Sequence, residues 1–334
     1  MQHRFPIFKS PRRGNDRRVT IITLFAFCFA AVEITYLQSA QQPVFRGRGD
    51  AVRVFATVTD RDGRLVPTLG KDDFEIRDEG KPQPLTLFDN TPQPIQLVVM
   101  LDVSGSMEGN LPLLRAASEQ LFARLQPDDV ARLGTFGRNV VISPAFTHDA
   151  RELRAAIPTS IEPDAPTPLW RAIDAAMNSF GDSADVRRVV LVLSDGKDSG
   201  MIGFGKKISS QADVIDRARA DNVMIYAVGM RSRQHRTSAP GIGPGGLQAA
   251  LLADMPDPGL ARVAEESGGG YTEIRYGEDL VSAFARVADE LHSQYLLGFA
   301  PPKRDGKTHK IEVRVRQGGL KVRGQKSYVA PSEQ

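Results

Sequence analysis

Hydrophobic and polar positions alternate at the start of the folded region. Residues 51–59, AVRVFATVT, put Val52, Val54, Ala56 and Val58 on one face, as in a half-buried strand, and Asp60-Arg61-Asp62-Gly63 supplies a turn. Two more short strands are expected at Phe74–Ile76 and Leu85–Phe88, separated by the turn sequence Asp78-Glu79-Gly80-Lys81-Pro82. Residues 44–92 therefore read as part of a small antiparallel sandwich, and the proline-rich Thr91–Pro94 as a linker.

From Ile95 the pattern changes. IQLVVML is continuously apolar, as a strand buried on both faces must be, and a polar loop leads from it into a helix with Leu114, Ala117, Leu121 and Leu125 on one side. Buried strands are expected at Val130–Phe136, Val140–Phe146, Val189–Ser194, Val223–Val228 and Tyr271–Ile274. Helices fall between them. Asp149 to Glu152 has the form of a capping box, and Leu169, Ala172, Ile173, Ala176, Met177 and Phe180 form an apolar stripe. Asp257-Pro258 opens another helix, which Gly268-Gly269-Gly270 closes, and Leu280, Phe284, Val287 and Leu291 mark the last. Strand alternating with helix over residues 95–292 predicts an α/β domain with a doubly wound, mostly parallel sheet covered on both faces.

Strands return after this domain, at Tyr295–Phe299, then in the alternation of Ile311, Val313 and Val315, a Gly318-Gly319 turn, and Leu320/Val322. A two-stranded ribbon is too small to fold alone. Residues 295–329 are thus expected to complete the incomplete sandwich of residues 44–92, with the α/β domain inserted between the two halves. The basic residues from Lys303 to Lys326 alternate with apolar ones, as on the wet face of strands; an anionic partner is the other reading.

Charge changes the picture at the amino terminus. The chain of 334 residues carries a net +3, yet residues 1–18 hold six Lys/Arg against the single Asp16. This basic stretch explains the excess without nucleic acid. It runs into the apolar segment Val19–Val32, the order found in export signals. Residues 1–40 are therefore expected to direct the chain across the inner membrane to a periplasmic or secreted location, either cleaved near Ala40 or kept as a membrane anchor. The one cysteine, Cys28, lies inside this run, so the rest of the chain has neither disulfides nor thiolate chemistry. Five scattered histidines, with no pair at ligand spacing, argue against zinc.

The chemistry concentrates at the end of the first α/β strand. In Asp102-Val103-Ser104-Gly105-Ser106-Met107 a carboxylate and two hydroxyls alternate in a loop that enters a helix. Thr167 stands in Ala165-Pro166-Thr167-Pro168 before another helix, and Asp195 in Leu193-Ser194-Asp195-Gly196 at the end of a buried strand. With these three elements in this order the chain resembles the von Willebrand type A family and its metal-dependent adhesion site. Val58–Gly63, Asp72–Glu75 and Gln294–Phe299 further resemble a bacterial group of related proteins, over roughly residues 44–330.

The resemblance implies a magnesium site, with manganese or calcium as substitutes, in which Ser104 and Ser106 bind the ion directly. It makes Thr167 the switchable ligand, and Asp102 and Asp195 act largely through water. Hard oxygen donors suit such an ion. It also implies a protein partner whose acidic side chain takes the open position. The departure is Asp164-Ala165-Pro166 before the threonine, where many relatives have glycines.

Other readings stand beside this one. Asp-x-Ser-x-Ser is also a good helix cap, and the site could be degenerate. Trp170 reads as core or as a sheltered rim contact, and Arg48-Gly49-Asp50 as a chance tripeptide. Lys197–Ser209 and Arg231–Pro256 should lie on the same rim, the second either a binding loop or disordered. For the whole chain a binding module is expected, not an enzyme. The alternatives are an envelope subunit whose metal only stabilises the fold and a metal-assisted or serine hydrolase, the latter opposed by the lack of a Gly-x-Ser-x-Gly elbow.

Overall fold

A computed structural model describes residues 51–181, 186–199, 209–231, 255–274 and 280–332. The signal or anchor segment 1–40 with Cys28, the Arg48-Gly49-Asp50 tripeptide, residues 200–208 and most of the 231–256 loop lie outside the described residues.

The chain begins with β1 (Val52–Thr59), β2 (Phe74–Asp78), β3 (Lys81–Gln83) and β4 (Leu87–Asp89). The α/β segment follows as β5 (Ile95–Asp102), α1 (Leu111–Phe122), β6 (Val130–Phe136), β7 (Val140–Ile142), α2 (Ala150–Ala155), α3 (Leu169–Asn178) and β8 (Arg187–Ser194). It continues through α4 (Gln211–Ala220), β9 (Val223–Met230), α5 (Gly259–Ser267), β10 (Tyr271–Ile274) and α6 (Leu280–Leu291). Four strands close the chain: β11 (Tyr295–Phe299), β12 (Thr308–Val315), β13 (Lys321–Gly324) and β14 (Ser327–Val329).

The central sheet has the order β10-β9-β8-β5-β6-β7, parallel except for the antiparallel edge strand β7. Because β5 is apolar on both faces, it packs two ways. Leu97, Val99 and Leu101 meet Leu114, Ala117 and Leu121 of α1 and Phe284 and Leu291 of α6. Val98 and Met100 meet α3, α4 and α5 through Ile173, Val214 and Val263. Each such fully buried Val, Leu, Ile, Met or Phe side chain contributes roughly 1.5–3 kcal/mol. Trp170 is 8% exposed and belongs to the second core. This is the doubly wound architecture expected from the sequence, although β7 stops at Ile142.

The outer strands form two four-stranded antiparallel sheets, β13-β1-β11-β4 and β14-β12-β2-β3. Their common core joins Val54, Ala56, Phe74 and Ile76 from before the α/β segment to Tyr295, Leu297, Phe299 and Ile311 from after it. Two details depart from the sequence reading. The expected ribbon across Gly318-Gly319 does not form, because β12 pairs with β2 while β13 pairs with β1 in the opposite sheet. Lys81 and Pro82 are strand rather than turn: Glu79 and Gly80 alone take left-handed backbone (φ 49° and 78°), and Pro82 is tolerated because β3 is a sheet edge.

A polar cluster ties the sandwich to the α/β segment. The Glu290 carboxylate near the end of α6 accepts hydrogen bonds from Thr57 Oγ1 at 3.0 Å, from Tyr226 Oη at 2.6 Å and from Arg323. Gln294 donates to Thr57 and Tyr226 and accepts from Arg187, whose guanidinium lies 4.7 Å over the Phe55 ring. Burial pulls Arg187 down to about 10. Asp129, fully buried, accepts from Ile95 N at 3.1 Å and Gln126 N at 2.7 Å, and pairs with His292 Nε2 at 2.8 Å. Among the described residues no helix is long and apolar enough to cross a membrane.

Candidate metal centre

Strand order reverses beside β5: the chain leaves it for β6 and β7 on one side, then crosses back to β8 on the other. The crevice at the carboxyl ends of β5 and β8 is where open α/β sheets bind ligands. Asp102 is the last residue of β5, and Asp195 follows the last residue of β8.

The loop after β5 turns on Asp102 itself, whose Oδ1 accepts from Ser104 N at 2.8 Å. That bond aims both serines at the crevice. Ser104 Oγ and Ser106 Oγ are 3.0 Å apart, and Ser106 Oγ donates to Asp195 Oδ1 at 2.6 Å. Gly105 lets the third loop approach: its amide donates to Ala165 O at 3.3 Å, and a Cβ there would stand 2.8 Å from Asp164 N. Asp164 itself has φ 59°, left-handed backbone that aspartate tolerates better than most side chains. The stretch that lacks the glycines of many relatives thus still adopts a conformation glycine favours.

Thr167, 7% exposed, lies against Gly196, where a Cβ would stand 2.9 Å from Thr167 Oγ1. Its carbonyl accepts from Ser199 N at 2.9 Å. All five residues singled out in the sequence, Asp102, Ser104, Ser106, Thr167 and Asp195, are thereby brought to one crevice. Sequence reasoning gave no role to Ser194, which is fully buried, donates to Asp102 Oδ2 and accepts from Gly196 N at 3.2 Å. Its inward orientation at the end of β8 was the available signal, since a polar residue in a run of buried apolar ones needs a partner.

The electrostatics are those of a site short of positive charge. Burial, and then the neighbouring Asp195, push Asp102 up to about 7; burial pushes Asp195 up to about 6. Hydrogen bonds from Ser104, Ser194 and Ser106 offset only part of this. One atom, Asp195 Oδ2, is buried with no hydrogen-bond partner. Such an orphan costs about 1–3 kcal/mol, more when charged. Two buried carboxylates, an unpartnered oxygen and three hydroxyl side chains are a donor set that fits a hard divalent cation. Among the described residues no cluster of three or more His, Cys, Asp or Glu that could hold a metal ion occurs, so hydroxyls make up the larger part of this donor set.

Residues 96–246 match the model of the von Willebrand factor type A domain. No curated protein matches the sequence. Among solved structures, the chain is similar to a von Willebrand factor type A protein from Catenulispora acidiphila, at 11% identity and TM-score 0.44 over 86% of this chain and 76% of that one. An aerotolerance-related membrane protein from Bacteroides fragilis is 15% identical, with TM-score 0.42 over 59% of this chain and 98% of that one. Proximal thread matrix protein 1 from the mussel byssus, solved with a zinc-occupied MIDAS motif, is 16% identical, with TM-score 0.42 over 65% and 50% of the two chains.

Proposed function

Since residues 96–246 match the model of the von Willebrand factor type A domain, we propose that the chain is a binding protein that grips an acidic protein group through a magnesium ion at the crevice between β5 and β8. The observation that carries this reading is the orphaned, buried Asp195 Oδ2 beside a second buried carboxylate and two serine hydroxyls. Ser104, Ser106 and Thr167 would hold the ion directly, with Asp102 and Asp195 acting largely through water. When bound, the ion supplies a positive charge that neutral hydroxyl ligands leave unneutralised, which a carboxylate from outside can meet. The chain's own contribution is orientation. Asp102 fixes the serine loop through Ser104 N, Ser194 holds Asp102, and Gly105 and Gly196 let the three loops close on one another.

Binding is favoured over hydrolysis by the bonding of the two serines. Their hydroxyls bond to each other and to Asp195, with no histidine in the described hydrogen bonds of either. A serine nucleophile needs a base that takes its proton and is itself oriented. An extracytoplasmic setting for this activity is supported by the basic stretch of residues 1–18 followed by the apolar Val19–Val32.

Titration calorimetry with magnesium, manganese and calcium, on wild type and Asp102→Ala, tests the metal; capture of immobilised acidic peptides, with and without chelator, tests the partner class. The expected result is metal-dependent capture by wild type alone, with unchanged circular dichroism in the variant. Equal capture by both proteins, insensitive to chelator, would overturn the metal bridge. A reporter active only outside the cytosol, fused after residue 334, tests export, and cytosolic retention would overturn it.

A further inference from the structure

Behind the metal-site loops runs a second line of bonds that ends on a residue far from the crevice in sequence. Thr167 stands two residues before the start of α3, and two connections lead from here to the loop after β8. Its carbonyl accepts from Ser199 N at 2.9 Å, and three residues on, the Trp170 amide donates to Asp198 Oδ1 at 3.4 Å. The amide of Asp198 in turn donates to Asp257 Oδ2 at 3.1 Å, across 59 residues of sequence. The other oxygen of Asp257 accepts from Gly259 N at 2.8 Å, at the first residue of α5. One carboxylate therefore joins the start of α5 to the loop that begins with Asp195 and holds the backbone of Thr167.

We infer that Asp257 is a positioning residue of the metal centre: it sets the loop after β8, and through it the placement of Thr167, without touching the ion. The inference rests on the metal reading above. Its physical basis is that the Thr167 carbonyl lacks strand pairing: it accepts from Leu169 N at 2.9 Å, where α3 starts, and from Ser199 N at 2.9 Å. The loop from Asp195 to Ser199 likewise lacks strand pairing, so the rigidity must come from side-chain bonds to neighbours already fixed. The start of α5 is such a neighbour, because Leu260 and Val263 anchor that helix in the core.

Asp257 has two separable tasks, and two substitutions separate them. In Asp257→Ser a hydroxyl can still accept from the amide two residues on, as serine does at turns, while the shorter side chain cannot also reach Asp198. Asp257→Ala loses both bonds. Ser210→Ala is the control: Ser210 caps α4 through Asp213 N, and its loss weakens a helix start outside the metal centre.

The test measures magnesium affinity by calorimetry, thermal stability, and amide exchange of Asp198 in metal-free protein. The expected result for Asp257→Ser is an affinity lower by about tenfold, at the low end of what supporting residues give, with faster exchange at Asp198 and near-native stability. Ser210→Ala should lose stability and keep its affinity. Wild-type affinity and exchange in Asp257→Ser would overturn the inference and leave the metal reading intact. An affinity loss that tracks melting temperature equally in Asp257→Ala and Ser210→Ala would also overturn it, since that is what mere destabilisation gives. Wild type that binds no magnesium would overturn both readings at once.

Discussion

Ser106 and Asp195, 89 positions apart, meet in a 2.6 Å hydrogen bond that uses only one of the two carboxylate oxygens. The other, Oδ2, is buried without a partner. A carboxylate folded into this position is half satisfied, and the deficit sets how the protein should respond to protons and to cations.

Metal-free protein is expected to lose stability as pH rises. Asp102 and Asp195 start from 3.8 and are raised to about 7 and about 6, so the folded chain holds protons that the unfolded chain releases. Their contribution is then fullest below pH 3.8 and lost as pH climbs toward 7. Asp102→Asn removes the larger part. Without metal it should melt above wild type by about 2 °C or more at pH 7.5, with little difference at pH 4.5. Added magnesium should raise the melting temperature of wild type and not of the variant. Differential scanning calorimetry in chelator and in magnesium checks both statements.

Gly105→Ala should cripple the site although it adds one methyl group. The new Cβ would stand 2.8 Å from the backbone nitrogen of Asp164, so the serine loop and the threonine loop must part. Overpacking of this kind costs about 1–3 kcal/mol. If the parting is spent at the metal centre, magnesium affinity falls about tenfold or more. Calorimetric titration reads the effect, and wild-type affinity would show that the loops can separate without cost to binding.

Asp129 is expected to govern stability on the acid side. Burial by itself would raise its pKa, but the bonds from His292, Gln126 N and Ile95 N outweigh it and hold the group below its usual value. A depressed carboxylate contributes fully above its unfolded value of 3.8, and that contribution is lost as pH falls through the lower folded value. Asp129→Ala should cost about 3 kcal/mol near neutrality by stranding buried donors. Asp129→Asn should flatten the acid limb of the stability curve. Urea titrations from pH 2.5 to 7 test both.

Glu290→Ala should destabilise the fold by about 2–3 kcal/mol while leaving magnesium affinity unchanged. The carboxylate receives Thr57, Tyr226 and Arg323, and its loss leaves these groups without their acceptor. It stands near the end of α6, among residues that join the α/β segment to the sandwich, away from the carboxyl ends of β5 and β8. A large change in metal affinity would contradict this separation of stability from binding.

What the sequence made legible follows from the kind of signal each residue carries. The continuous apolar run of β5 and the stripe of α3 are periodic, and both formed as expected. The residues Asp102, Ser104, Ser106, Thr167 and Asp195 were singled out by their resemblance to a family motif spread over three loops, and the fold brings those loops together. Partnerships were not. Nothing local says that Ser194 will bond Asp102, or that β12 and β13 will part into different sheets after Gly319, because both depend on neighbours brought from elsewhere. Pro82 misled for the opposite reason: its local preference for turns was real, and the sheet edge overrode it.

The carboxylate of Asp129 also has a meaning for how such a chain can be built. Ile95, where the α/β segment starts, and His292, just past its last helix, both reach that one side chain, at 3.1 and 2.8 Å. Just outside them, Asp89 and Leu296 are already register partners in neighbouring strands. The segment between is therefore a closed cassette whose two ends nearly touch. Its insertion asks the host sandwich for little more than the closure of a short loop, because the cost of joining two strands depends on the distance between them, and not on how many residues were folded away in between.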